Sequence, residues 1–102
     1  MIITTSGEFN HYKTVSINSL TELNEITPRN FDCIIWGNVQ YTIHHYIDDK
    51  GRYMYFVKVW VYDVISEEWR IVLNTESYTA NEIDIALKRL VLFVYDIKGV
   101  KL

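Results

Sequence analysis

One cysteine, one proline and four glycines in 102 residues leave little material for several common designs. A lone Cys33 can form neither an intramolecular disulfide nor a zinc site built on several thiolates. It reads as a small buried hydrophobe in a strand, in a protein of a reducing compartment, expected to be cytoplasmic. With Pro28 as the only proline and no Gly- or Pro-rich tract, nothing divides the chain. A sequence this short holds one core, and a single α+β domain over residues 1–102 is expected. Charge of one sign is also scarce. Ten basic against thirteen acidic side chains give a net charge of -3, too weak a field to hold duplex nucleic acid and too weak for an acidic mimic of DNA. The opening MIITTSGEFN has no basic start, and the longest apolar runs are short or broken by Lys58. Neither a signal peptide nor a membrane contact is expected.

Catalytic signatures are missing too. There is no Gly-rich phosphate loop, no dinucleotide fingerprint and no G-x-S-x-G elbow. His44 and His45 are neighbours in a strand-like run, where adjacent side chains point to opposite faces and cannot share an ion. Asp48-Asp49-Lys50-Gly51 lacks the alternating oxygens and closing glutamate of a calcium loop. Together with Glu67-Glu68 it reads as a solvated hairpin tip. The expectation is therefore a non-enzyme without cofactor or metal.

What the chain does have is aromatic side chains, 15% of residues with eight Tyr and three Trp, more than a core already rich in Ile, Val and Leu requires. Phe9 to Ile17 reads as an edge strand with Phe9, Val15 and Ile17 on one face. Ser19 and Glu22 form a capping box for a short helix carrying Leu20, Leu23 and Ile26, ended by Pro28. Phe31 to Ile47 is strand-like throughout. Gly37-Asn38 offers either a hairpin turn or a bulge, and the length of the following strand, Arg52 to Val64, favours one continuous bent strand. Asp49-Lys50-Gly51 suits a three-residue hairpin loop with Asp48 opposite Arg52. A turn near Ser66-Glu67-Glu68 leads to Trp69–Asn74. A second capping box, Thr79 and Glu82, opens a helix with Ile83, Ala86, Leu87, Leu90, Val94 and Ile97 at helical spacing until Gly99. The fold class is α+β: an antiparallel β-meander of three to four strands, with a short N-terminal helix and a longer C-terminal helix packed on one face. Counted from Ser19, this order is the one double-stranded-RNA-binding domains use. Here, however, the last helix opens with Glu82 and Asp84, where such a domain needs basic residues.

In the hairpin register, Val39, Tyr41, Ile43, His45 and Ile47 share a face with Tyr53, Tyr55, Val57, Val59 and Val61. Trp69, Ile71 and Leu73 are expected to continue it as the core. The even-numbered face gathers Gln40, Thr42, His44, Tyr46, Met54, Phe56, Lys58, Trp60 and Tyr62, with Arg70 and Val72. It is either covered by the N-terminal segment or a second copy, or it is an open contact surface. The functional expectation is a non-enzymatic protein-binding module, an adaptor or inhibitor, with Tyr46, Phe56, Lys58, Trp60, Tyr62 and Arg70 as binding residues. Its Ile-, Asn-, Lys- and Tyr-rich composition points to AT-rich coding, which suits a Gram-positive host or one of its mobile elements, and a small domain without catalytic motifs suits a phage or other mobile element. The partner is a protein of unknown identity, or a second copy in a homodimer. The alternative is single-stranded nucleic-acid binding, with the same rings stacking bases and His44, Lys58 and Arg70 on phosphates.

Overall fold

The computed structural model describes residues 1–5 and 13–101. Its elements are β1 (Ile2–Thr5), β2 (Lys13–Ser16), α1 (Leu20–Glu25), a 3₁₀ turn (Pro28–Asn30), β3 (Cys33–Trp36), β4 (Val39–Ile47), β5 (Tyr53–Asp63), β6 (Glu68–Asn74), β7 (Tyr78–Thr79) and α2 (Ala80–Lys101). The α+β class and the C-terminal helix are as expected, but among the described residues the sheet has seven strands rather than three to four. Six run in the order β1-β2-β3-β4-β5-β6, and β7 shares with β6 the same side of the long β5.

The expected N-terminal edge strand is β2, and it lies inside the sheet, between β1 and a parallel β3. Phe9, which was to start it, lies outside the described residues. The parallel pairing follows from the connection: α1 and the 3₁₀ turn carry the chain across before β3 begins. The α1 cap forms as its residue types suggest. The Ser19 hydroxyl accepts the Glu22 N–H, and the Glu22 carboxylate reaches back to the Asn18 N–H and to the terminal ammonium of Met1. Those two contacts, the ammonium first, hold the Glu22 carboxyl below its ordinary range.

Gly37-Asn38 is a tight hairpin turn, which corrects the continuous strand. Trp36 pairs with Val39, Ile34 with Tyr41 and Cys33 with Thr42. Gly37 takes φ +62, a left-handed value that suits a residue without a Cβ in the first position of a two-residue turn. The length argument failed because β5 overhangs β4 by two residues only. Tyr62 donates its N–H to the Asn38 carbonyl, and Asp63 finds a partner in β6.

The β4–β5 hairpin has the expected register, with Ile47 opposite Tyr53 and Val39 opposite Val61. Gly51 sits at φ +78, and the Asp48 carboxylate accepts the N–H groups of Lys50 and Arg52 and the Arg52 guanidinium. α2 opens as expected at Thr79, whose N–H and hydroxyl both donate to Glu82. It continues through Gly99 to Lys101.

One contiguous core lies between the sheet and the helices. Val15, Ile34, Tyr41, Val57 and Val59 supply the sheet side, Leu23 and Ile26 come from the α1 region, and Ile83, Leu87 and Val91 form the buried seam of α2. Leu90 and Val94 flank that seam, half-buried, and the Ile97 side chain lies outside the described residues. Burying each large aliphatic side chain contributes roughly 1.5–3 kcal/mol.

Candidate functional site

The side of the sheet opposite the helices carries the even-numbered residues of β4 and β5, and is called here the outer face. Because the Gly37-Asn38 turn pairs Cys33 with Thr42 and Ile35 with Gln40, β3 contributes its odd-numbered residues to it.

A β-bulge decides what β6 adds. Val59 pairs with Leu73 but Trp60 pairs with Ile71, so Val72 is an extra residue, and every position before it changes sides. Trp69 and Ile71, expected in the core, stand on the outer face opposite Tyr62 and Trp60. Arg70, expected on the outer face, pairs with Val61 and stands on the helix side, where its guanidinium binds the carboxylates of Asp63 and Glu68. Leu73 is on the helix side as expected, yet 42% exposed, because α2 does not cover this edge. All seven residues of β6 are exposed.

The centre of the outer face is held by a side-chain network. The Trp60 indole N–H donates to the Thr42 hydroxyl at 2.8 Å, and that hydroxyl lies 2.8 Å from His44 Nε2 and 3.4 Å from the Lys58 carbonyl. His44 stacks on Phe56 with ring centroids 5.0 Å apart, and Phe56 meets Tyr46 at 6.1 Å. The Tyr46 hydroxyl donates to Ser77 at the far end. Partial burial, then the Lys58 charge, then His45, hold the His44 imidazole below its ordinary pKa. Through the shared Thr42 hydroxyl, the Trp60 indole and the His44 ring fix each other's orientation. His45 stands on the other face beside Tyr55.

Exposure varies across this face. Cys33 and Thr42 are buried, and desolvation pushes the Cys33 thiol up to about 12, which leaves it a packing residue. Phe56, Lys58, Trp60 and Tyr62 are half-buried, while Tyr46, Trp69 and Ile71 are exposed. The question of a covered or an open face thus resolves by position: closed towards β2 and β3, open towards β6.

Between Asp32 just before β3 and Trp69 on β6 lies a cleft of about 450 Å³, lined also by Gln40, Thr42, Ile43, His44 and Trp60. A shallower one of about 300 Å³, lined by Gly37, Asn38, Tyr62 and Trp69, shares the Trp69 ring, which meets Tyr62 edge-on at 5.4 Å. Asp32 is set by the backbone on both sides: its N–H donates to the Lys13 carbonyl, its own carbonyl accepts the Ile43 N–H, and its carboxylate accepts the Lys13 N–H. No family model matches this sequence, and no curated protein or solved structure matches it.

Of the six expected binding residues, Tyr46, Phe56, Lys58, Trp60 and Tyr62 share the outer face and Arg70 does not. Sequence reasoning missed Asp32 and Trp69. Nothing local marks Asp32 as part of a cleft, since its place depends on the Gly37-Asn38 turn. Trp69 was displaced by a bulge in Ile71-Val72-Leu73, a run whose unbroken apolar character hides the register. Among the described residues no group of three or more His, Cys, Asp or Glu is placed to hold a metal ion, and no helix is long and apolar enough to cross a membrane.

Proposed function

We propose that this chain is a non-enzymatic protein-binding module, an adaptor or inhibitor whose contact surface is the open end of the outer face. The observation that carries the reading is the β6 edge. Trp69 at 37% and Ile71 at 45% exposure stand opposite Tyr62 and Trp60, followed by the bulged Val72 at 59%, on a strand whose outer side has no neighbour in the sheet among the described residues. Exposed apolar and aromatic side chains in one patch mark interaction surfaces, and an unpaired strand edge adds main-chain hydrogen-bonding groups. Trp60 is held by Thr42 before any partner arrives, so less side-chain entropy is lost on binding.

The nucleic-acid alternative loses support from the same geometry. Arg70 is on the other side, already engaged by two carboxylates, and Asp32 puts a negative charge in the cleft. Lys58 is the remaining cation of that expected phosphate set whose charge is favoured, since partial burial and the Lys58 charge lower the His44 pKa.

A photo-crosslinking residue at Ile71 tests the reading in the native host. It should yield a discrete protein adduct, whereas the same residue at Asn24, exposed on α1, should not. An adduct of twice the 12.1 kDa chain mass identifies a second copy as the partner. No adduct, or equal adducts from both positions, sinks the proposal.

A further inference from the structure

We infer that the cleft between Asp32, Gln40, Trp60 and Trp69 is a subsite for an arginine side chain of the protein partner. The inference rests on the protein-binding reading and names the chemistry that would be recognised. Among the described residues that line the cleft, Asp32 carries the one formal charge, and none is Lys or Arg. Among the described residues, Lys13, Arg70 and Lys58 are engaged elsewhere or stand outside the lining. The Lys13 ammonium lies 5.0 Å from the centre of the Phe31 ring, and Arg70 faces the other side of the sheet. Lys58 shares the outer face but does not line the cleft. An anionic ligand would meet an uncompensated carboxylate there, and a cation would meet its counter-charge.

The shape of the cation follows from the rest of the lining. Indole rings attract cations over their faces, and a guanidinium is planar, so it can lie flat on a ring while its N–H groups donate in its own plane. The acceptors for those donors are the Asp32 carboxylate and the Gln40 carbonyl oxygen. A carboxylate is the favoured mate of a guanidinium because it takes two parallel hydrogen bonds. Asp32 is held by its backbone hydrogen bonds and Trp60 by Thr42, so two walls are in place before the ligand arrives. A cleft of about 450 Å³ has room for one long side chain with its water.

The test uses the full chain and N-acetyl-arginine amide, followed by the indole N–H signals in a nitrogen-15 correlation spectrum. The signals of Trp60 and Trp69 should shift and saturate. That of Trp36, stacked on Tyr95 at 4.7 Å on the helix side, should stay in place and serves as internal control. N-acetyl-citrulline amide, which has the same shape without the charge, should bind at least about tenfold more weakly, and Asp32→Asn should weaken arginine binding by a similar factor. Asparagine keeps an oxygen for the Lys13 N–H, so that variant should stay folded; Trp69→Leu, at an exposed position, supplies an independent loss of binding. Equal shifts with citrulline, unchanged affinity in Asp32→Asn, tighter binding of N-acetyl-lysine amide or tighter binding of uridine monophosphate would each overturn the inference. The titration needs no native partner. A crosslink at Ile71 without arginine binding leaves the protein-binding reading standing and removes the subsite; arginine binding without a crosslink does the reverse.

Discussion

On one side of the sheet Val15, Ile34 and Val59 join Ile83, Leu87 and Val91 in an aliphatic core where exposure is 1% or less. On the other, Trp60, Thr42, His44 and Phe56 are linked by directed hydrogen bonds and ring stacking, and all but the buried Thr42 stay within reach of solvent. Burial of apolar area needs no particular partner and makes the first side the main source of stability. Hydrogen bonds and stacks contribute less each but fix orientation. The two sides therefore divide the work: one holds the fold together, and the other keeps rings in set positions at a surface. The division is tested most severely where the two should differ most. Leu87→Ala, in the middle of the α2 seam, should destabilise the protein by about 2–5 kcal/mol in urea unfolding, from lost burial and the cavity left behind. A loss near zero would mean that α2 is not the cover of this core.

The next largest effect belongs to the outer network. Trp60→Phe keeps a ring but removes the donor to Thr42, and should cost about 0.5–1.5 kcal/mol in the same measurement. Should it match Leu87→Ala, the outer face is a second core, and the contrast between the two sides disappears.

These two sides were legible to different degrees. Asp48, Gly51 and the alternation through β4 and β5 identify a three-residue hairpin loop because each carries its own local cause: a carboxylate that gathers N–H groups, and a residue free to take φ +78. The α2 seam is legible for the same reason, through the Thr79–Glu82 cap and the spacing of Ile83 and Leu87. Gly37-Asn38 was ambiguous because a turn and a bulge ask for the same residue types, and the choice rests on how far β5 needs a partner, a tertiary matter. The side on which Arg70 and Trp69 stand depends on one inserted residue in β6. In Ile71-Val72-Leu73 every register buries or exposes an aliphatic side chain, so the pattern selects none. Candidate site residues were found where alternation alone places them, as with Phe56, Trp60 and Tyr62. Asp32 was missed because the turn brings it to the cleft.

A smaller effect separates the two sides through pH. His44 has a folded pKa below the ordinary imidazole value of about 6.5, so the unfolded chain binds its proton more readily than the folded one. The stability it contributes is complete above that ordinary value and is lost as pH falls towards and through the folded value. Asp48, Asp63 and Glu82, also depressed, act in a separate window below the ordinary carboxylate range. Urea midpoints measured from pH 7.5 to 5 should decline in the wild type and decline less in His44→Gln. An identical decline in both would show that the His44 pKa is not lowered in the folded protein.

The smallest change in stability, and the sharpest division of the surface, is expected at β6 itself. Ile71 and Arg70 are adjacent in sequence and exposed, yet the bulge sends Ile71 to the outer face beside Trp60 and Arg70 to the helix side with Asp63 and Glu68. Exposed positions outside a core change stability by no more than about 0.5 kcal/mol, so Ile71→Lys and Arg70→Ala should both melt close to the wild type. Their effects on partner capture should diverge. With the crosslinker moved to Tyr62, Ile71→Lys should abolish the adduct, because a lysine at the centre of an apolar contact must be desolvated without a counter-charge. Arg70→Ala should leave it intact, since its guanidinium points away and is already engaged. If both variants lose the adduct, the partner pairs with the β6 edge and reads both sides of it; if neither does, the contact surface lies elsewhere on the molecule and the proposed function fails with its protein still folded.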